Sequence, residues 1–280
     1  MKRLLIAGFG DIARRALPCL ERRFRVAPIS RAGGFDLDRP ETLGLPPAEA
    51  LLHCAPPPGK GESDTRTANL LAALEKGRIL PARIVYVSTS GVYGDCGGAR
   101  VDESRPVAPQ TERARRRVDA ELRLDQWTRV RDISLTVLRV PGIYAADRLP
   151  LERLRAGTPV LRAEDDVYTS HVHADDLAAI VCRALEDDAP AGVYNAADDT
   201  ELKMGDWFDL LADTRALPRP PRISREAAAD RIAQPLLSFM MESRRLDNRK
   251  LKAKLGVRLH YPTVYEGLKH EYLARSHQPA

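Results

Sequence analysis

Short apolar runs alternate along this chain with longer stretches in which apolar residues recur every three or four positions. Lys2–Ala7 is an apolar run stopped by Gly8, and an Ala/Leu/Arg pattern continues to about Arg23, predicting strand, turn and helix. Phe24–Ser30 reads as a second strand, and Ala50–Ala55 as a third, halted by Pro56-Pro57-Pro58. Thr65–Leu74 carries Leu70, Leu71 and Leu74 at helical spacing, Arg83–Ser88 alternates as a strand, and Thr111–Val130 is a charged helix. Ile133–Val140 is a strand closed by Pro141-Gly142. Asp175–Leu185 sets Leu177, Ile180, Val181, Ala184 and Leu185 on one helical face, and Val193–Ala196 is a brief strand. Strands alternating with helices predict an α/β fold, a doubly wound parallel sheet covered on both faces.

After Asp198 the pattern loosens. Leu217–Arg222 is proline-rich, Ser224–Met241 has helical spacing apart from Pro235, and Lys250–Leu255 ends a helix with Gly256 as its cap. The expected division is a nucleotide-binding domain over residues 1–200 and a small C-terminal substrate lobe over 201–280, with 145–170 contributing to the lobe. No internal repeat is visible.

At 280 residues, with 44% hydrophobic and 30% charged residues, the chain has an ordinary globular composition. Four cysteines (Cys19, Cys54, Cys96 and Cys182) show neither C-x-x-C spacing nor a disulfide framework, so a reducing, cytoplasmic setting is expected. The basic, apolar opening imitates a signal peptide, but Gly8, Gly10 and Asp11 interrupt it and no small-residue cleavage site follows. No segment approaches membrane-spanning length. The net charge of +5 comes mainly from arginine, since only eight residues are lysine. The arginines interleave with acids and aromatics make up only 5%, which disfavours nucleic acid and favours a phosphate-bearing small molecule.

Gly8-Phe9-Gly10-Asp11-Ile12-Ala13 fits G-x-G-x-x-A between a first strand and a first helix. Gly8 permits the tight turn, Gly10 lets backbone amides approach a pyrophosphate, and Ala13 allows close helix–sheet packing. The helix N-terminus supplies positive potential. This points to a Rossmann-type dinucleotide site. A carboxylate at the end of the second strand would accept the adenosine ribose hydroxyls and favour NAD. Here that strand ends in Ser30-Arg31, with no carboxylate before Asp36, so Arg31 is expected to pair with a 2′-phosphate and favour NADP, with NAD as the alternative.

Further segments follow in order: His53-Cys54-Ala55-Pro56-Pro57; Tyr86-Val87-Ser88-Thr89-Ser90-Gly91-Val92-Tyr93-Gly94; Asp102-Glu103; and Leu138 through Tyr144. His171 through Leu177 and Val193-Tyr194-Asn195 complete the set. Together they resemble the NAD-dependent epimerase/dehydratase family, an extended or atypical branch of the short-chain dehydrogenases/reductases. The resemblance covers most of the chain up to Asp199, and Asn248–Gly267 more loosely. It implies that Ala55, Pro56, Ser88, Pro141 and Gly142 join the glycine turn around the cofactor. It also implies that Thr89 hydrogen-bonds the substrate oxygen.

The family's acid/base pair, Y-x-x-x-K followed by K-x-x-x-E, is not present. With Glu121 as the trailing acid, Arg117 stands in the lysine place and Arg113 in the tyrosine place, and no lysine occurs between Lys76 and Lys203. A phenol, with a pKa near ~10, needs a nearby cation to act as a base. Arg117 supplies a cation but holds its proton, and Arg113 cannot act as a base, though it can bind a phosphate or carboxylate. The alternative is a solvated helix with Arg117 and Glu121 paired at i, i+4. Tyr93, Tyr144 and Tyr168 are the phenols expected near the strand carboxyl ends, and Tyr144, following Pro141-Gly142, is the foremost replacement acid.

His171 and His173 near Asp175 and Asp176 lack the ligands that would complete a metal site, and by the resemblance an Asp there caps a helix. Cys96 reads as an unreactive thiol. Asp165-Asp166, Asp187-Asp188 and Asp198-Asp199 read as loop or cap carboxylates. The expected function is an NAD(P)-dependent oxidoreductase or epimerase on a small polar substrate, phosphorylated or nucleotide-linked. The alternative is a non-catalytic NADP-binding redox sensor. No metal and no membrane partner are expected, and a homodimer is a possible assembly.

Overall fold

The computed structural model describes residues 1–275. Six parallel strands form the central sheet: β1 (Lys2–Ala7), β2 (Phe24–Ile29), β3 (Ala50–His53), β4 (Arg83–Thr89), β5 (Ser134–Val140) and β6 (Gly192–Asn195). Their spatial order is β6-β5-β4-β3-β1-β2. Every neighbouring pair runs parallel, for example Leu5 beside Leu51 and Tyr86 beside Val137. The chain winds one way from β1 to β2 and the other way from β3 onward, so the reversal lies between β1 and β3. Ligands bind at that crevice, beyond the strand carboxyl ends.

Side-chain alternation assigns the two faces. Leu4, Ile6, Leu52, Val85, Leu138 and Val140 pack with α1 (Asp11–Leu20) and α4 (Ala174–Ala184). Leu5, Ala7, Leu51, Ile84, Tyr86 and Val137 face the other way, onto α2 (Thr65–Lys76) and α3 (Glu112–Arg129). Because both faces are covered, the strands read as continuous apolar runs, which makes them recognisable from residue pattern alone.

The smaller lobe has its own core, built from Leu154, Val160, Trp207, Phe208, Leu211 and Val264 among others. It gathers α5 (Met204–Thr214), a segment not singled out by periodicity, with the two-residue strand Val160–Leu161 paired to Arg222–Ile223. Helical spacing over 224–241 resolves into Arg225–Arg231, Gln234–Leu237 and a 3₁₀ turn Ser238–Met241. Pro235 starts a new helix because it lacks the N–H that would continue the old one. The chain then leaves the lobe: α6 (Arg249–Leu255) puts Leu251 and Leu255 into the sheet's α1/α4 layer. Gly256 caps it in the left-handed region at φ 73°. The last described helix, α7 (Val264–Arg275), returns to the lobe core through Val264 and Leu268.

Among the described residues no helix is long and apolar enough to cross a membrane, and no cluster of three or more His, Cys, Asp or Glu could hold a metal ion.

Candidate functional site: two clefts meeting at Thr89

The glycine turn closes tightly against β3. Gly8 has φ 86°, its N–H donates to Ile29 O at 3.2 Å, and a Cβ there would lie 2.4 Å from Ala55 N. Gly10 caps α1, and a Cβ on it would meet nothing within 4 Å. That open space, beside the first unpaired N–H groups of α1, is where a pyrophosphate fits.

Two cavities extend from this turn. The first, of about 230 Å³, lies toward β2 and is lined by Gly8, Gly10, Ser30, Arg31, Ala55, Pro56 and Arg66. Arg31 is exposed at its rim, on the 3₁₀ turn Arg31–Gly33. Asp36 lines the same cavity, but one of its oxygens already accepts the Asp38 N–H at 3.0 Å. Arg66 grips Asp38 bidentately at 2.8 and 2.7 Å while donating to Pro56 O, so it borders the cavity beside Arg31 with its charge already paired. Sequence patterns could not have found Arg66, which reaches the cavity from α2.

The second cavity, about 290 Å³, runs from the glycine turn over β4 and β5. Gly8, Gly10, Asp11, Ile12, Ala13, Ser88, Thr89, Arg117, Pro141 and Arg148 line it. Asp11 does not present a bare negative charge there. Arg15 binds it at 3.0 Å and Arg148 at 2.8 Å, and Arg15 also holds Asp147 and Asp175. Arg117 donates to Val87 O at 2.9 Å and to the Tyr86 hydroxyl at 3.1 Å, so its charge is fixed beside β4. It is not paired with Glu121. Glu121 turns inward, accepting from Ser88 Oγ at 2.5 Å and pairing with Arg139 at 2.8 Å in a buried triad. Ser88 thus lines the cleft with its hydroxyl already committed.

The third cavity is small, about 130 Å³, and lies between the sheet and the lobe. Thr89, Ser90, Gly91, Arg113, Pro141, Gly142, Tyr168, Ser170, Phe239, Glu242 and Arg244 line it. Thr89 and Pro141 border both this cavity and the one holding Arg117. Thr89 Oγ accepts from the Gly91 N–H at 3.3 Å, leaving its proton free to donate. Arg113 stacks over the Phe239 ring at 4.0 Å, and burial pulls its pKa below the usual value.

Other expected site residues lie elsewhere. Tyr144 is not a candidate acid. It borders none of these cavities, is almost wholly buried in the lobe core, donates to Thr263 O at 3.3 Å, and presses on Gly267, where a Cβ would sit 2.3 Å from its hydroxyl. Tyr93 is also buried, its hydroxyl donating to Asn195 Oδ1 at 2.8 Å. Tyr168 is the one of the three that reaches the cleft. The helix α4 is capped by His173, whose Nδ1 accepts the Asp175 N–H at 3.2 Å, rather than by an Asp. Asp176 is instead buried, accepting the N–H groups of His260 and Tyr261. His171 stacks on Trp207 at 4.4 Å, and burial pushes its pKa down to about 3. Cys96 lies in a small core with Val92, Tyr93 and Val101, its thiol pKa raised by burial.

Glu242 and Arg244 carry no motif and were not legible in the sequence. Their segment is stitched in by distant partners. Ser243 O accepts from Cys96 N and Gly98 N, Ser243 N donates to Asp95, and Leu246 N donates to Ser170 Oγ.

Residues 64–197 match the model of the NAD dependent epimerase/dehydratase family. A dTDP-4-dehydrorhamnose reductase of Streptomyces griseus is 27% identical over 255 residues, covering 83% of this chain and 81% of that protein. A functionally unknown conserved protein from Silicibacter pomeroyi is 28% identical and superposes with a TM-score of 0.80, covering 99% of this chain and 100% of the other. The human epimerase family protein SDR39U1, solved with NADPH, shares the fold at 18% identity and a TM-score of 0.78, over 97% of this chain and 99% of that one. Fold, ordered motifs and relatives point the same way: over residues 64–197 the chain is similar to the NAD-dependent epimerase/dehydratase family, on a Rossmann-type α/β fold shared with NAD(P)-binding relatives.

Proposed function

We propose that the protein is an NADP-preferring oxidoreductase or epimerase acting on a small polar substrate. The observation that carries this reading is the shared border at Thr89: the cleft holding the glycine turn and Arg117 opens onto a second cavity holding Arg113. A nicotinamide cofactor held by the glycine turn would supply or accept hydride there. Thr89 donates a hydrogen bond to the substrate oxygen and polarises it, and Arg117 holds a fixed positive charge beside the cofactor cleft. Arg31, exposed on the cavity toward β2, receives the 2′-phosphate.

The preference is tested by calorimetric titration with NADPH and NADH. NADPH binds at micromolar or tighter concentration and NADH at least about tenfold more weakly. Arg31→Glu erases that margin, and an unchanged margin removes Arg31 from the selection. Thr89→Val keeps NADPH affinity while turnover drops by about 10²-fold or more. Equal turnover takes Thr89 out of the mechanism.

A second reading is favoured by one observation: guanidinium groups stand in both places of the family's Tyr–Lys pair, and neither relays a proton. On it the protein is a cofactor-binding redox sensor. Tight NADPH binding without oxidation across a broad carbonyl panel supports that reading.

A further inference from the structure

Two side chains in the small cavity beside Thr89 have polar capacity that the protein leaves unspent. Arg113 lies there half-buried, stacked on Phe239, and forms no hydrogen bond or ion pair among the described residues. The Glu242 charge reaches it through space but does not bond it, and a guanidinium withdrawn from water with its fork unfilled is suited to a ligand's anionic group, which can meet that fork bidentately.

Glu242 lines the same cavity. Its Oε2 accepts from Arg244 at 2.8 Å, and Arg244 is held in turn by Gly94 O at 2.8 Å. The other oxygen, Oε1, is buried and has no hydrogen-bond partner, on a side chain only 6% exposed. Buried acceptors are normally satisfied, so this one calls for a donor from the occupant. The two groups do not satisfy each other. At about 130 Å³ the cavity is small enough for one occupant to meet both.

We infer that this cavity is a two-point subsite for a small carbonyl or alcohol substrate that carries an anionic group for Arg113 and a hydroxyl or ammonium donor for Glu242 Oε1. An anion without a donor would face the Glu242 charge unrelieved, and a neutral polyol would leave Arg113 unmatched. The inference rests on the reading in which Thr89 presents the reacting oxygen to the cofactor cleft, and it adds the substrate's chemistry.

The test titrates hydroxypyruvate, pyruvate, dihydroxyacetone and dihydroxyacetone phosphate calorimetrically into the protein, both cofactor-free and loaded with NADPH. Hydroxypyruvate or dihydroxyacetone phosphate, which carry both groups, bind at least about tenfold tighter than the two single-group probes. The stronger of the pair identifies the anion as carboxylate or phosphate. Arg113→Met removes the advantage over dihydroxyacetone and Glu242→Leu removes the advantage over pyruvate, with Glu242→Gln restoring part of it. NADPH affinity stays within about twofold in all three variants, which also reports that they fold. Equal binding of all four probes, or binding of none to either form, overturns the inference. Discrimination among probes by a protein that fails to bind NADPH keeps the subsite and sinks the cofactor reading instead.

Discussion

At Gly8 a Cβ would lie 2.4 Å from a backbone nitrogen, and at Gly10 it would meet nothing, so the two glycines of one turn serve different ends. Gly8 is required by the fold: its φ of 86° is costly for any side chain, and Ala55 cannot retreat without moving β3. Gly10 is not required by the fold, because a methyl group there occupies only the space above the helix N-terminus, which the proposed pyrophosphate would fill. Gly8→Ala is therefore expected to lower the unfolding free energy by more than ~1 kcal/mol. Gly10→Ala is expected to melt like the parent protein and to bind NADPH at least about tenfold more weakly. Thermal melts and calorimetry on the same two variants check this, and a stability loss at Gly10 equal to that at Gly8 would falsify the division. The tight turn at Gly8 was legible in the sequence, since its demand is local to the strand–turn–helix junction. Tyr144 was not. Its place was set by Thr263 and Gly267, more than a hundred residues away, and nothing near Pro141 encodes that packing.

Along α3, positions 113, 117 and 121 recur every four residues and form one stripe toward the carboxyl edge of the sheet. Arg113 reaches the small cavity, Arg117 the cofactor cleft, and Glu121 the buried contact with Arg139 and Ser88. The arginines between them are spent differently: Arg115 pairs with Glu62 at 2.9 Å and Arg116 donates to Gly61 O, fastening α3 to the loop before α2. The spacing was readable in sequence, but the partners were not, because Arg139 approaches from the neighbouring strand rather than from the same helix. Arg139 also lies over the Tyr93 ring at 4.8 Å, tying the triad to the turn after β4. Removing one charge leaves the other buried and unpaired. Glu121→Gln is expected to cost about 3–5 kcal/mol in denaturant unfolding, and the paired change Glu121→Leu with Arg139→Met markedly less. Additive losses in that double variant would show that the two residues act independently.

Across the whole molecule, the carboxyl-terminal segments cross between layers. Residues 242–246 complete the small cavity, α6 joins the sheet, and α7 returns to the lobe. The sheet was legible because its strands are buried on both faces. These returns were not, since each short element takes its place from partners distant in sequence. Burial elsewhere in the fold withdraws titratable groups from water, and their protonation then couples to folding. His53 and His171, both fully buried, are pushed down to about 3 from 6.5. Asp198, buried beside His171 O with one oxygen unpartnered, is pushed up to about 8 from 3.8. For the histidines the unfolded chain binds more protons between about pH 3 and 6.5, so their stabilisation is present above 6.5 and is lost as pH falls. For Asp198 the folded chain binds more protons between about pH 4 and 8, so its stabilisation is full at low pH and is lost as pH rises. One pH unit is worth about 1.4 kcal/mol per proton. Below pH 6.5 the two histidines outweigh Asp198, with Asp64 and Asp166, also raised by burial, acting in the same sense as Asp198, and above it Asp198 dominates. Surface carboxylates such as Asp38 and Asp187, shifted down by Arg66 and Lys2, act at lower pH and do not enter this window. Stability from these groups is therefore expected to peak near pH 6.5 and to fall by about 1.4 kcal/mol per unit on either side. Denaturant midpoints from pH 5 to 8 measure it, and Asp198→Asn is expected to flatten the alkaline side and to steepen the acid side, where its opposing contribution is also removed. An alkaline slope that persists in that variant would mean that Asp198 is ionised in the folded protein despite its burial.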